Sequence, residues 1–391
     1  MRKLNFTRRL AIWPTLSPLV HFRGLSDWVP FPLGQENCRI YSRARHAIWQ
    51  GCRTLKLEAG QGVLVPAYHH GSEIEALQQA GLRTCYYELN GELQPDPAEL
   101  EALLEPGVRA LYLIHYLGFA QDAAYWRQWC DERGLLLLED AAQAFLATSG
   151  GRPVGSFGHM GVFCLYKTYG LPDGGALVTP LPPPTPTRAP QTGLWRLVKR
   201  HLNWVAARQR GFGTLNLHLT KLVGWWRTRE TAPGLEFELG DPGTPPAALT
   251  SRLLYRIVDP ETAERRRENY RFLLHHLGHM VPAPFASLPP GACPFAFPIE
   301  VDGARAFLQR LRRHGIVGLL FWINPHPSLP VADYPRSRAL RERVLALPVH
   351  QELTRAALWQ IVQAVRDTLA PQQPDIRQHE GQTRPLPLNA G

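Results

Sequence analysis

Apolar and polar positions fall into alternating blocks between residues 40 and 180 of the chain. Short continuous apolar runs predict buried strands at 62–66, 82–89, 110–114, 135–139, 162–166 and 175–178. Amphipathic stretches predict helices at 72–80, 96–104 and 120–133. Strands that alternate with helices, and that are apolar throughout, are typical of an α/β fold with a largely parallel sheet.

The pattern changes after residue 180. Six prolines between Pro180 and Pro190 predict an extended linker or surface loop. A long helical pattern then runs from 247 to 277, and a strand at 294–301 and helices at 304–314 and 355–369 follow. We therefore expect an N-terminal arm at 1–37, a large domain at 38–246 with an insertion at 181–246, a smaller C-terminal α+β domain at 247–370, and a polar tail at 371–391.

Composition limits the class of protein. The chain has 391 residues, of which 45% are hydrophobic and 19% are charged, as in a globular protein with a sizeable core. Its six cysteines are scattered without a Cys-x-x-Cys pair, so we expect neither a disulfide framework nor a metal site, and we expect a cytoplasmic protein. The apolar runs are too short to predict a transmembrane helix.

The net charge of +10 is concentrated between residues 191 and 230, where eight basic residues face one acidic residue, Glu230. This segment also carries apolar residues that could form one face of a helix: Trp195, Leu197, Val198, Leu202, Trp204 and Val205. We favour an amphipathic helix packed on its own domain or on a dimer partner. The alternative is a peripheral contact with an anionic membrane. We expect no nucleic-acid binding, because no recognised module surrounds the basic residues.

Two residues carry the candidate chemistry. Asp140 ends the apolar run that begins at Leu135, and Lys167 stands seven residues before Gly174-Gly175. A carboxylate at the end of a buried strand and a lysine before a tight turn are the groups that a pyridoxal phosphate (PLP) enzyme needs. The alternatives are an aspartate that caps a helix and a lysine that lies on the surface.

Several local sequences, in a fixed order, support this interpretation. They are Val65-Pro66-Ala67-Tyr68-His69-His70, Ile114-His115-Tyr116-Leu117-Gly118, Glu139-Asp140-Ala141-Ala142-Gln143-Ala144, Gly155-Ser156-Phe157-Gly158 and Leu347-Pro348-Val349-His350-Gln351-Glu352-Leu353-Thr354. Together with the lysine-to-glycine spacing they resemble the DegT/StrS family of PLP-dependent sugar aminotransferases. The resemblance implies the type I fold of PLP-dependent transferases, an α/β fold with a large, mostly parallel sheet of the seven-stranded type and a smaller C-terminal domain.

The resemblance also implies roles for individual residues. Lys167 would form the Schiff base with PLP and move the proton, and Asp140 would pair with the pyridine nitrogen. Gln143 would donate a hydrogen bond to the ring hydroxyl, and His70 would stack on the ring. Three further residues are expected to bind the cofactor: Ala44 and Arg45 at the start of a helix that receives the phosphate, and Cys164 just before the lysine.

The implied activity is the transfer of an amino group from an amino acid, typically glutamate, to a keto-sugar that is usually nucleotide-linked. Such enzymes serve cell-surface polysaccharide or secondary-metabolite biosynthesis, and the family implies a homodimer. One alternative is a non-catalytic regulatory or structural relative of the same fold. Another is a PLP-dependent sugar dehydratase, but those enzymes carry histidine in place of the lysine, so Lys167 argues against it.

Overall fold

A computed structural model describes residues 8–209 and 236–369 of the chain. The strands are β1 Leu10–Ala11, β2 Cys38–Tyr41, β3 Gly62–Pro66, β4 Arg83–Tyr87, β5 Val108–Ile114, β6 Leu136–Ala141, β7 Thr148–Ser149, β8 Arg152–Pro153, β9 Met160–Cys164, β10 Gly175–Val178, β11 Phe297–Glu300, β12 Ile316–Val317, β13 Leu319–Leu320 and β14 Val344–Leu347. The helices are α1 Ala44–Thr54, α2 Ser72–Gln79, α3 Pro97–Ala102, α4 Ala123–Asp131, α5 Leu165–Thr168, α6 Leu194–Arg208, α7 Ala248–Ile257, α8 Thr262–Leu277, α9 Ala304–Arg313, α10 Pro335–Arg343 and α11 Arg355–Leu369.

The main sheet has seven strands in the order β2-β10-β9-β6-β5-β3-β4. The strands from β9 to β4 run parallel to their neighbours, and β10 is antiparallel to both β9 and β2. Strands β3 and β9 are buried along their whole length, as expected for strands covered by helices on both faces. The expected α/β fold with a largely parallel sheet is confirmed.

Helices cover both faces of this sheet, and the amino end of α1 lies at the carboxyl edge of the parallel strands. Helix α1 packs against α2 and against β9 and β10, and α4 packs against β5 and β6. Gly51 of α1 has no side chain, which leaves room for Met160 of β9. The carboxyl ends of the parallel strands therefore meet the amino end of α1 at one edge of the sheet, where ligands bind in folds of this kind.

Two local expectations were wrong. The strand expected at 162–166 ends at Cys164, and Lys167 lies in the single-turn helix α5. The long helical pattern from 247 to 277 is two helices, α7 and α8, separated around Pro260. Proline lacks the N–H that a continuous helix would need and disfavours helical geometry in the residue before it.

The C-terminal part contains a small sheet in the order β11-β14-β13, with α9 and α11 beside it. The segment expected to be an N-terminal arm joins this part, because Leu10 of β1 pairs in parallel with Ile316 of β12. Helix α7 lies instead with the main sheet, since Leu253 and Leu254 share a core with Phe163. The domain boundaries drawn from the sequence stay predictions. Within 8–209 and 236–369, no helix is long and apolar enough to cross a membrane.

Candidate active site

A cavity of about 360 Å³ lies at the carboxyl edge of the main sheet. Its walls include every residue for which the sequence predicted a role in the site: Lys167, Asp140, Gln143, His70, Ala44, Arg45 and Cys164. These residues come from the ends of three strands, β3, β6 and β9, and from the start of α1, so only folding brings them together. The structure thus places them around one space, and their individual roles stay predictions.

Asp140 is buried at the end of β6 and faces the cavity. One carboxylate oxygen accepts a hydrogen bond from the Tyr112 hydroxyl at 2.7 Å, and the other accepts one from the Ala142 N–H at 2.8 Å. Burial raises the pKa of Asp140 above its ordinary value, and the neighbouring Glu73 carboxylate raises it further. A cation at the cavity end of this carboxylate would relieve both effects, and the protonated pyridine nitrogen of PLP is such a cation.

Gln143 is oriented by a backbone contact. Its Oε1 accepts a hydrogen bond from the Leu117 N–H at 2.9 Å, and Leu117 has a φ of 53°. The side-chain NH₂ group has no hydrogen-bond partner among the residues that the structure describes, and Gln143 lines the cavity. A free donor in this position fits an acceptor such as the ring hydroxyl oxygen of PLP.

Lys167 reaches the cavity from α5, between β9 and β10. Its Nζ lies 6.0 Å from the centre of the Phe295 ring. The backbone beneath it is held from two sides: buried Arg266 donates to the Thr168 carbonyl at 2.9 Å, and Gln351 donates to the same oxygen at 3.0 Å. Gln351 also accepts a hydrogen bond from Arg266 at 2.8 Å. The motif around Leu347–Thr354 therefore contributes to the position of the lysine.

The glycine pair after the lysine explains the spacing that the sequence showed. A Cβ on Gly175 would collide with the backbone of Arg43 and Ala44, so the missing side chain lets β10 lie directly beside the start of α1. Gly174 has a φ of 124°, and its carbonyl accepts a hydrogen bond from the Leu165 N–H at 3.0 Å. The same two glycines thus position both α5 and the start of α1.

Helix α1 begins at Ala44, and no side chain caps its first turn. Uncapped N–H groups and the helix dipole make such a helix start an anion site, which fits a phosphate group. The guanidinium of Arg45 is engaged by the carbonyls of Glu236 and Glu238, at 3.1 and 2.6 Å. Arg43 also lines the cavity, and its guanidinium has no hydrogen-bond or ion-pair partner among the described residues. The sequence prediction missed Arg43, which is a second candidate cation for the phosphate.

His70 stands at the rim of the cavity. Its Nδ1 lies 2.9 Å from the Ser72 hydroxyl, and its ring meets Phe237 edge-on at 5.8 Å between centres. Although part of the ring is open to the cavity, loss of water around it lowers the pKa of His70 to about 4, and the cations of Lys167 and Arg45 add to this. The imidazole is therefore neutral at physiological pH, and a neutral planar ring is suited to stacking.

Some cavity residues were not predicted. Glu73 is buried and accepts hydrogen bonds from the His70 N–H at 2.7 Å and the Gly71 N–H at 3.2 Å. An aromatic wall, defined as Trp13, Phe295, Phe321 and Trp322, also lines the cavity. The position of Glu73 three residues after a strand-end histidine pair is a local signal, but nothing local marks the aromatic wall.

The Glu139 side chain points away from the cavity and ties three of the sequence motifs together. It is fully buried and accepts hydrogen bonds from His115 Nε2 at 3.0 Å, from the Gly155 N–H at 2.8 Å and from the Gly158 N–H. His115 Nδ1 in turn accepts a hydrogen bond from the Gln121 N–H at 3.1 Å, which leaves the proton on Nε2. This network supports the strand end at Asp140 from behind.

A large, mostly parallel sheet and a cavity with a lysine, a buried carboxylate and a helix start define the class of PLP-binding proteins with the type I transferase fold. Residues 33–183 match the DegT/DnrJ/EryC1/StrS aminotransferase family. The match covers this segment and agrees with the resemblance drawn from the motifs, and PLP is the cofactor that the family uses.

The chain is similar to curated relatives and to solved structures. It is 24% identical to UDP-N-acetyl-3-dehydro-alpha-D-glucosamine 3-aminotransferase of Acidithiobacillus ferrooxidans over 83% of this chain and 82% of that protein. It is 30% identical to GDP-perosamine synthase of Vibrio cholerae, but over only 32% of this chain and 35% of that protein. The PLP-form of Spr1654 from Streptococcus pneumoniae superposes with a TM-score of 0.62 at 16% identity, covering 91% of this chain and 92% of that one, which confirms the fold.

Proposed function

We propose that this protein is a PLP-dependent aminotransferase that moves an amino group from an amino acid to a keto-sugar. The observation that carries the proposal is the meeting of Lys167, Asp140 and the start of α1 around one cavity. When bound, PLP supplies an aldehyde that condenses with amines and a ring that accepts electrons. The sequence similarity to sugar aminotransferases supports the choice of substrate class.

The residues of the chain bind and orient the cofactor, and Lys167 transfers the proton. Asp140 would stabilise a positive charge on the pyridine nitrogen, because within 8–209 and 236–369 its buried carboxylate has no cationic partner in hydrogen-bond contact. Gln143 orients the ring through its free NH₂ group, and the N–H groups of α1 with Arg43 hold the phosphate.

Lys167 moves the proton. With the cofactor bound, its Nζ would take up the proton that leaves the carbon of the amino-acid donor, and would hold a proton for the sugar substrate in the second half of the reaction. Arg266 and Gln351 both donate hydrogen bonds to the Thr168 carbonyl, so the backbone next to Lys167 stays in place while the lysine side chain moves. The aromatic wall excludes water from the side of the cavity that it lines and offers flat faces to a sugar ring.

The finer substrate assignment is also a proposal. We infer glutamate as the amino donor and a nucleotide-linked keto-sugar as the acceptor, in cell-surface polysaccharide or secondary-metabolite biosynthesis, by a cytoplasmic homodimer. A dehydratase is disfavoured by Lys167 itself, since it places an amine where the dehydratases have histidine. A non-catalytic relative would keep the fold but would not need Lys167 and Asp140 at one cavity.

The first experiment is the absorbance of purified protein with added PLP. The wild type should turn yellow and the Lys167→Ala variant should not retain the band, whereas Lys56→Gln, at an exposed lysine outside the cavity, should behave like the wild type. Release of 2-oxoglutarate from glutamate, with a panel of keto-sugar nucleotides, then identifies the acceptor. A colourless wild-type protein that refuses PLP would establish the non-catalytic alternative.

A further inference from the structure

An exposed apolar surface lies outside the candidate active site. It combines the segment 18–25 with helix α6, and we call it the apolar face. Its members, with their exposed fractions, are Leu19 64%, Phe22 87%, Leu25 69%, Leu194 59%, Trp195 60% and Leu202 44%. Large apolar side chains that cluster at such exposure indicate a surface that meets a partner.

The two elements of the apolar face adjoin each other. The Nε2 atoms of His21 and His201 lie 3.2 Å apart, and His201 Nδ1 lies 2.9 Å from the Leu16 carbonyl. Segment 18–25 and helix α6 therefore contact each other at these histidines, and exposed Phe22 and Leu202 are the residues that follow them in the chain. Residues that are far apart in the chain therefore form one surface.

Helix α6 divides its apolar residues between two faces. Leu197 and Ala206 are buried against the protein, as the favoured sequence interpretation expected. Trp195, Val198 and Leu202 follow a spacing of three and four residues, which makes a second stripe that stays partly or largely exposed. Self-packing therefore accounts for the Leu197 side of the helix and for Ala206, which lies four residues after Leu202 on the second stripe, and it leaves Trp195 and Leu202 exposed. Part of the basic, tryptophan-rich segment, from residue 210 onward, lies outside the described residues.

The charges around the apolar face are mostly positive. Arg23, Arg196, Lys199, Arg252 and Arg256 lie on the elements that form it or pack beside it. No aspartate or glutamate occurs in 8–26, 191–209 or 247–258, and the acidic residues that directly follow the first and last of these segments are exposed Asp27 and half-buried Asp259. Arg252 and Arg256 lie close enough to His21 that their charges help to lower its pKa. Asp173 reaches Arg196 from outside these segments, at 3.7 Å.

The excess of positive charge favours an anionic membrane surface over a second copy of the chain as the partner. A symmetric contact between two copies of the chain would place the same basic residues opposite one another, which is unfavourable. An anionic bilayer surface attracts the arginines and accepts the protruding Phe, Trp and Leu side chains at its interface. We propose that the apolar face docks this protein on a membrane surface that contains anionic lipids.

Sedimentation with lipid vesicles tests the proposal without reference to enzyme activity. The protein should bind vesicles in which about one third of the phosphatidylcholine is replaced by phosphatidylserine, and should release them at about 0.5 M salt. Vesicles of phosphatidylcholine alone should bind it at least about tenfold more weakly, because the arginines lose their electrostatic attraction. The double variant Phe22→Ser, Trp195→Ser should lower binding to anionic vesicles by about tenfold or more.

Two further variants test the contribution of charge to vesicle binding and the specificity of the apolar face. Arg252→Glu should weaken binding to anionic vesicles and reduce its dependence on salt. Tyr125→Ser removes a comparably exposed aromatic ring, 44% exposed, from helix α4, and should bind as the wild type does. All variants should keep the thermal midpoint of the wild type, since none of these side chains is buried.

Several results would overturn the proposal. One is wild-type binding that does not distinguish anionic from neutral vesicles, and another is unchanged binding by the double variant. A dimer that the double variant abolishes, without vesicle binding by the wild type, would show that a second copy covers the apolar face. Binding to polyglutamate without binding to vesicles would point to an acidic protein partner.

Discussion

The contact between Gly175 and the start of α1 makes a sharp prediction. In the Gly175→Ala variant, the added Cβ would lie more than about 1 Å inside the usual carbon contact distance of about 3.5 Å from the Arg43 and Ala44 backbone. Backbone atoms cannot rotate away as a side chain can. Strand β10 and helix α1 must therefore separate, and the helix start must move relative to Lys167 on the adjacent turn.

The expected cost follows from overpacking at a rigid site. We expect the free energy of unfolding to fall by about 1–3 kcal/mol. Displacement of the α1 N–H groups should weaken the PLP phosphate contact as well, and a loss of about 1.4 kcal/mol would raise the Kd for PLP about tenfold. Urea unfolding of the cofactor-free protein measures the first effect, and absorbance titration with PLP measures the second.

Gly91→Ala is the matched control, because a Cβ at Gly91 would meet nothing within 4 Å. Its unfolding free energy should stay within about 0.5 kcal/mol of the wild type. If Gly175→Ala also stays within that range and binds PLP normally, the close approach of β10 to α1 does not organise the phosphate site, and the reasoning is refuted.

Three further predictions concern the site and its supports. In Asp140→Asn, loss of the buried charge should lower kcat by about 100-fold or more and weaken PLP binding, and unchanged steady-state kinetics would contradict the assigned role. In Gln351→Ala, loss of the hydrogen bond to buried Arg266 should lower the free energy of unfolding by about 1–3 kcal/mol. The variant should also reduce kcat more than it changes KM. A larger change in KM than in kcat would argue against a role of Gln351 in positioning Lys167. Burial lowers the pKa of His350 from 6.5 to about 3, so the unfolded chain takes up a proton at a higher pH than the folded protein does. Below pH 6.5 the free energy of unfolding should therefore fall by up to about 1.4 kcal/mol per pH unit. His350→Asn should reduce this pH dependence in unfolding experiments at several pH values.

The sequence was most informative where a residue type and its local spacing carry the chemistry. Asp140 at a strand end and Lys167 before the glycine pair indicated PLP, and both line the cavity. The strand at 162–166 was mispredicted because apolar periodicity does not reveal that the Leu165 N–H pairs with the Gly174 carbonyl and closes a turn. Local pattern thus indicated residues that line one cavity but not the conformation that presents the lysine.

Other features depend on contacts between distant segments. The motifs around His115, Glu139 and Gly155 were useful for recognition, yet only the fold shows that they meet at the Glu139 carboxylate. Arg266 looked like one of several basic residues on a helix, but it is buried and supports the backbone at Lys167. A sequence position does not reveal such a partner about a hundred residues away.

The amino-acid sequence by itself determined the alternation of strands and helices and the resemblance to a family of PLP-dependent enzymes, and it indicated residues that line the candidate site. Periodicity and residue chemistry depend on a few neighbouring positions, so they can be recognised in the sequence alone. The tertiary structure alone decided the aromatic wall, the support of Lys167 by Gln351, and the union of Phe22 with Trp195 on one apolar face. These features arise where sheet order and helix packing bring together residues that are remote in the chain.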